Sequence, residues 1–92
     1  MMHNLETDVN DVARSGMPIT PSQCRGARAM LGMDQARLAE LALINRNTVM
    51  DFESGKRTPT RANVQAIQDA LERAGVEFTN GDQPGVRLRK KS

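Results

Sequence analysis

The chain has 92 residues and a net charge of +2, a length that suits one small domain but not two. Its aromatic residues are two Phe, with no Tyr and no Trp. The core must therefore be built mainly from aliphatic side chains, which favours helices over strands. No apolar stretch approaches the roughly 20 residues that cross a bilayer. The N-terminal sequence also lacks the basic start and apolar run of a secretory signal. We therefore expect a cytoplasmic protein without membrane association.

Residue types that perform catalysis or bind metals are scarce. Cys24 is the single cysteine, which excludes an internal disulfide, and Cys24 and His3 together are too few ligands for a structural zinc site. No Ser, Cys or carboxylate lies beside a plausible general base, and no glycine-rich loop has the spacing that cradles phosphates. We expect no enzyme and no cofactor.

Charge is distributed unevenly along the chain. Residues 1–19 carry a net charge of −2 and lack sustained periodicity. They are interpreted as a flexible N-terminal arm, with a short helix around Leu5 to Val12 as the alternative. The other residues carry +4, and the last six, RLRKKS, hold four basic groups. That tail is either a phosphate contact or a solubilising segment.

Four capped helices are predicted between residues 20 and 75. The pattern of Thr20, Pro21 and Gln23 is typical of a helix start with a capping box. Polar caps and following apolar stripes place the helices, in chain order, at Pro21 to about Leu31 after Thr20, about Gln35 to Ala42 after Asp34, about Arg46 to Glu53 after Asn45, and from a cap at Thr60 to about Ala74.

Residues 76–92 change to the alternating pattern of strands. The segments VEFT and VRLR flank a run of turn-forming residues and predict a β-hairpin followed by the basic tail. A lone hairpin is marginal in water, so its apolar face must pack on the helices or on a second copy. That face consists of Val76, Phe78, Val86 and Leu88. The predicted organisation is thus an arm at 1–19, a helical domain at 20–75, and a hairpin with its tail at 76–92.

The second and third predicted helices, with a tight break at Leu43 and Ile44, have the lengths of a helix-turn-helix unit. The N-terminal half of the third helix offers Arg46, Asn47 and Asp51, side chains that pair with guanine, adenine and cytosine respectively. Helix N-termini also favour phosphates through their free N–H groups. The pattern indicates a domain that reads double-stranded DNA in the major groove.

The segment from Gln35 to Lys56 resembles the helix-turn-helix of phage-repressor and Cro-like (XRE-type) bacterial regulators. Its most specific parts are Gln35 at the start of the second helix, the Leu38-Ala39 pair, and the Phe-Glu-x-Gly-Lys-Arg-x-Pro run at 52–59. The resemblance covers about residues 21–75. It implies a mainly α, four- to five-helix repressor-like DNA-binding domain, here with a C-terminal β-hairpin extension. It also implies a homodimer on palindromic half-sites. Since the sequence shows no separate oligomerisation domain, we expect the fourth helix, the hairpin or both to form the dimer interface.

The resemblance implies roles for individual residues as well. The residues at the bases would be Arg46, Asn47, Thr48, Met50 and Asp51. The residues on the phosphate backbone would be Gln35, Asn45, Ser54, Lys56 and Arg57. Arg28 and Glu53 would form a structural salt bridge between the first helix and the end of the third.

Two residues depart from what such a site favours. Leu43 occupies the turn where the family usually has Gly, because the backbone there takes φ > 0. A Leu in that conformation costs about 1 kcal/mol or more, so either the turn is rearranged or Leu43 gains packing elsewhere. Asp51 places an acid near phosphates, where it needs a cytosine amine or an internal partner such as Arg46.

Two functions are compatible with these features. The first, which we favour, is a sequence-specific DNA-binding transcriptional regulator, expected to be a repressor. The second is a protein-binding module, such as an antiactivator or antitoxin, that kept the fold, lost DNA binding and acts on another regulatory protein. The low net charge, Leu43, Asp51 and the methionines favour this alternative. Binding that weakens steeply with salt would indicate the first function.

Overall fold

The computed structural model describes residues 17–80 and 83–89. In these ranges the elements are α1 (Pro21–Leu31), α2 (Gln35–Ala42), α3 (Arg46–Ser54), α4 (Arg61–Ala74), β1 (Val76–Thr79) and β2 (Gly85–Leu88). The predicted fold class, mainly α with a C-terminal β-hairpin, is confirmed. Residues 1–16 of the predicted arm, with the alternative helix around Leu5 to Val12, lie outside the described residues, as do Lys90 and Lys91.

Each of these helices begins at a side-chain cap. Thr20 Oγ1 accepts the N–H of Gln23 at 3.0 Å, and Gln23 Oε1 accepts the N–H of Thr20 at 2.8 Å, which completes a capping box. In the other three helices the cap side chain also accepts a backbone N–H of the first turn. These caps are Asp34, Asn45 and Thr60. The caps fix the residue at which each short helix starts, and therefore the position of the N–H groups of its first turn.

The core lies between the four helices and the hairpin. Its largest fully buried side chains come from each helix, from β1 and from the segment before α1: Cys24, Leu38, Val49, Val64, Ile67, Leu71, Val76 and Ile19. Burying an aliphatic side chain of this size contributes about 1.5–3 kcal/mol. Because Ile19 belongs to this set, the packed part of the chain includes a residue that the sequence analysis assigned to the arm.

The hairpin packs against the helices through one face. Val76 pairs with Leu88 and Phe78 with Val86, so these four side chains share a face of the sheet. Val76 is buried, and Phe78 and Val86 pack on the core, whereas Leu88 is 57% exposed. The helices therefore cover this face except at Leu88.

Gln23 joins the hairpin to the start of α1. Its side chain is buried, and Nε2 donates to the carbonyl oxygens of Thr79 at 3.0 Å and Gly85 at 2.9 Å. Thr79 and Gly85 face each other across the two strands. One turn along α1, a Cβ on Gly26 would lie 3.3 Å from Val86 Cγ1, so glycine permits the close approach of α1 to β2.

Candidate nucleic-acid interface

The turn between α2 and α3 places a non-glycine residue in the left-handed region. Leu43 ends α2 with φ 60° and ψ 42°, and its N–H donates to the carbonyl of Glu40 at 3.2 Å. Its side chain is 90% exposed, so packing does not offset the strain. The two alternatives raised by the sequence, a rearranged turn and compensating packing, are both wrong. The backbone keeps the conformation that usually requires glycine, and the strain remains.

Burial of one side of α3 turns its other side to solvent. Val49 and Phe52 are in the core, and Asn45 caps the helix by accepting the N–H of Asn47 at 2.7 Å. The residues predicted at the bases divide into an exposed pair, Arg46 and Asn47, and a half-buried group, Thr48, Met50 and Asp51. The first turn of α3 therefore presents a cationic and an amide side chain to solvent.

An open polar groove of about 620 Å³ runs between the N-terminal ends of α3 and α4. Its lining residues are Asn45, Asn47, Thr48, Asp51, Arg57, Thr58, Pro59, Thr60 and Asn63. Five of them are among the residues predicted at DNA, whereas Arg46, Met50, Gln35, Ser54 and Lys56 do not line the groove. The groove is thus formed by one half of the predicted set together with the start of α4.

Sequence reasoning missed Thr58 and Asn63 as members of this surface, and it assigned Thr60 only as a cap. The predicted cap at Thr60 was the signal from which Thr58 and Asn63 could have been placed on this surface. Thr60 Oγ1 accepts the N–H of Asn63 at 3.1 Å, so a cap immediately after a short loop places the first turn of α4 beside the end of that loop.

Asp51 organises the loop that follows α3. Its carbonyl accepts the N–H groups of Lys56 at 3.0 Å and Arg57 at 3.4 Å. Its carboxylate Oδ2 lies 3.9 Å from Arg57 Nε, with side-chain exposures of 28% for Asp51 and 77% for Arg57. The internal partner of Asp51 is therefore Arg57 on the following loop, and not the Arg46 suggested by the sequence.

Ser54 and Lys56 lie on the exposed surface at the end of α3. Ser54 Oγ accepts the N–H of Lys56 at 3.3 Å, which fixes the backbone of the loop, and Lys56 itself is exposed. Gln35 lies at the start of α2 and is half-buried. Its Nε2 donates to Glu53 Oε1 at 3.0 Å, so this amide connects α2 with the end of α3.

Glu53 is a buried carboxylate that gathers donors from α1 and α2. Arg28 donates to both carboxylate oxygens, and Cys24 Sγ lies 3.1 Å from Oε2. Burial alone would raise the pKa of Glu53, but hydrogen bonds from Arg28, Cys24 and Gln35 lower it below its usual value. The hydrogen bond to Glu53 in turn raises the pKa of Arg28. Glu53 therefore stays ionised and fixes α3 against α1 and α2.

Residues 17–80 and 83–89 contain no helix long and apolar enough to span a membrane. The same ranges contain no group of three or more His, Cys, Asp or Glu residues placed to hold a metal ion.

Two short capped helices joined by a tight turn, with an exposed polar N-terminus on the second, define a helix-turn-helix domain. The helix-turn-helix family model matches residues 25–78, more than half of the chain. The chain therefore belongs to the XRE-type, phage-repressor and Cro-like helix-turn-helix family, a family of DNA-binding regulators. No curated protein matches the chain.

Proposed function

We propose that the protein is a sequence-specific double-stranded DNA-binding regulator that represses transcription and reads the major groove with α3. The observation that carries this proposal is the exposure of Arg46 and Asn47 on the first turn of α3, beside the polar groove. Arg pairs bidentately with guanine and Asn with adenine. A bacterial regulator of this kind acts in the cytoplasm, where the DNA lies.

The neighbouring residues support a backbone contact on each side of α3. Phosphates on one side would meet Gln35 at the start of α2, and on the other side Lys56 and Arg57 on the loop. Asn45 and Ser54, at the two ends of α3, would donate hydrogen bonds to phosphates of the same DNA backbones. Thr48 and Met50 would lie at the edge of the base contacts. This arrangement separates residues that specify a sequence from residues that only position the domain.

The first test is a binding assay on the DNA upstream of the gene and on random duplex, each at two salt concentrations. A reader with several phosphate contacts loses affinity steeply as salt rises, and a sequence-specific regulator prefers its own upstream DNA. Salt-sensitive binding with that preference would support the proposal. Failure to bind either duplex at low salt would contradict it.

Two substitutions distinguish a base contact from a phosphate contact. Arg46→Ala is expected to cost about 1–3 kcal/mol on specific DNA and to relax the preference at one base pair. Lys56→Ala is expected to weaken specific and random DNA alike and to lower the salt slope by about one. Arg73→Ala is the matched control, because Arg73 is exposed at the C-terminal end of α4 and does not line the polar groove. Equal losses for Arg46→Ala and Arg73→Ala would contradict the placement of α3 in the major groove.

We also propose that the protein binds DNA as a homodimer. Leu88 is a large exposed apolar side chain on a hairpin whose other apolar residues are covered, which makes the hairpin a candidate contact with a second copy. Leu88→Lys should then weaken self-association, measured by sedimentation of the free protein. Unchanged association would direct attention to α4.

A protein-binding role on the same fold is the second candidate function. Leu43 favours it, because a partner that covered this exposed apolar side chain beside α3 would gain the free energy of burying it, whereas phosphates would not. A partner held by apolar contact would bind with little dependence on salt, whereas binding to DNA weakens steeply as salt rises.

A further inference from the structure

We propose that Asp51 is a positioning residue that holds Arg57 in the polar groove between α3 and α4, so that the Arg57 guanidinium binds a backbone phosphate of DNA. This inference rests on the proposed function. It gives Asp51 a role other than the base contact that family resemblance implies.

The backbone around Asp51 already ties the loop to α3. The Asp51 carbonyl accepts the N–H groups of both Lys56 and Arg57, and the hydroxyl of Ser54 also donates to it at 3.3 Å. These bonds hold the start of the loop against the C-terminal half of α3, with the Arg57 backbone N–H on the Asp51 carbonyl. The Arg57 side chain therefore has a short path back to the carboxylate of Asp51.

The geometry of the Arg57 side chain leaves its terminal guanidinium nitrogens accessible to a phosphate. Arg57 faces Asp51 through Nε, with the closest oxygen at 3.9 Å, while its side chain is 77% exposed. A guanidinium carries five N–H donors in a planar fork, so a contact at Nε leaves the terminal nitrogens free for a phosphate. The same groove is lined by the N-caps of α3 and α4, Asn45 and Thr60, whose helix ends add positive potential there.

The electrostatics decide between three roles for Asp51. An acid that only faced DNA would repel phosphates, so its removal would strengthen binding to every duplex. An acid that accepted from a cytosine amine would matter only on the specific site. An acid that positions Arg57 would matter on every duplex, and only while Arg57 is present.

The experiment is a double-mutant cycle of Asp51→Asn and Arg57→Ala, with affinities measured on random duplex and on the upstream DNA. Asp51→Asn is expected to weaken both about two- to fivefold, the range of coupling found for exposed ion pairs. In the Arg57→Ala background the same change should have no effect or should strengthen binding, because only repulsion remains. Asp69→Asn removes an exposed acid of α4 outside the groove and controls for overall charge.

Two further readouts separate positioning from folding. Arg57→Ala should reduce the salt slope by about one, and Asp51→Asn should reduce it by a smaller amount, while neither variant changes the melting temperature substantially. Equal effects of Asp51→Asn in both backgrounds, or an effect confined to the upstream DNA, would overturn the inference and leave the proposed function intact. Absence of DNA binding by the unsubstituted protein would overturn both.

Discussion

Arg28 and Glu53 form a two-pronged ion pair that joins α1 to the end of α3. Arg28 Nε lies 2.7 Å from Glu53 Oε2, and Nη2 lies 2.7 Å from Oε1. The Glu53 side chain is 3% exposed and that of Arg28 19%. Since removal of one partner leaves a largely buried charge without compensation, the position of α3 depends on this pair.

Glu53→Gln is expected to lower the free energy of unfolding by about 3 kcal/mol, because Arg28 then loses its charged partner. Urea denaturation measures the change. Glu40→Gln is the control, since Glu40 pairs with Arg37 at 3.0 Å but both side chains are well exposed, and such a pair contributes at most about 1 kcal/mol. Similar losses for the two variants would contradict the structural role of Glu53.

Acid should destabilise the domain through the same carboxylate. The pKa of Glu53 is lower in the folded protein than in the unfolded chain, so the folded state binds fewer protons on this group. Its stabilising contribution is therefore complete above the unfolded pKa, about 4.3, and is lost as pH falls through the lower folded value. Melting temperatures between pH 7 and pH 3 should decline less steeply for Glu53→Gln than for the unsubstituted protein. Parallel declines would exclude Glu53 as a source of acid sensitivity.

Leu43→Gly is expected to stabilise the protein. Leu43 has φ 60° and a side chain that is 90% exposed, so glycine relieves strain with little loss of buried surface. The strain of about 1–2 kcal/mol is partly offset by the larger entropy of a glycine in the unfolded chain, about 0.4–1 kcal/mol. Leu43→Ala retains the Cβ and serves as the control, with no comparable gain in urea denaturation. Equal stabilities of the two variants would show that the turn is not strained.

Cys24 should resist thiol reagents in the folded protein. Burial, followed by its hydrogen bond to Glu53, raises the pKa of the thiol, and the side chain is fully buried. Because Cys24 is the single cysteine, labelling with an aromatic disulfide at pH 8 reports on one site. The labelling rate should rise with urea in step with unfolding. Rapid labelling of the native protein would place Cys24 at an accessible surface.

Local signals explain why the helices were predictable. A cap such as Asn45 or Thr60 bonds to an N–H only two or three residues away, so its signature is contained in a short stretch of sequence. The same holds for the strain at Leu43, because the turn and its usual glycine are part of a contiguous motif. The exposure of Leu43 depended on what packs around the turn, and the motif does not contain that information.

Contacts between distant parts of the chain were not predictable in this way. Gln23 was identified as part of a cap, and its second role depends on Thr79 and Gly85, more than fifty residues away. The burial of Ile19 likewise follows from how the segment before α1 packs on the helices. Asp51 and Arg57 are near each other in sequence, but their pairing depends on how the loop folds back on α3. For the candidate site, the sequence identified polar residues of α3, and the folded chain added the start of α4.

The double hydrogen bond from Gln23 has a consequence for how the molecule unfolds. A hairpin alone is marginal in water, but here both strands are bonded to a buried amide that also completes the cap of α1. Detaching the hairpin would leave that amide unsatisfied and expose Val76. The hairpin and the helices should therefore form one cooperative folding unit, and the backbone amides paired between β1 and β2 should exchange their hydrogens with solvent only as fast as the helical core itself opens.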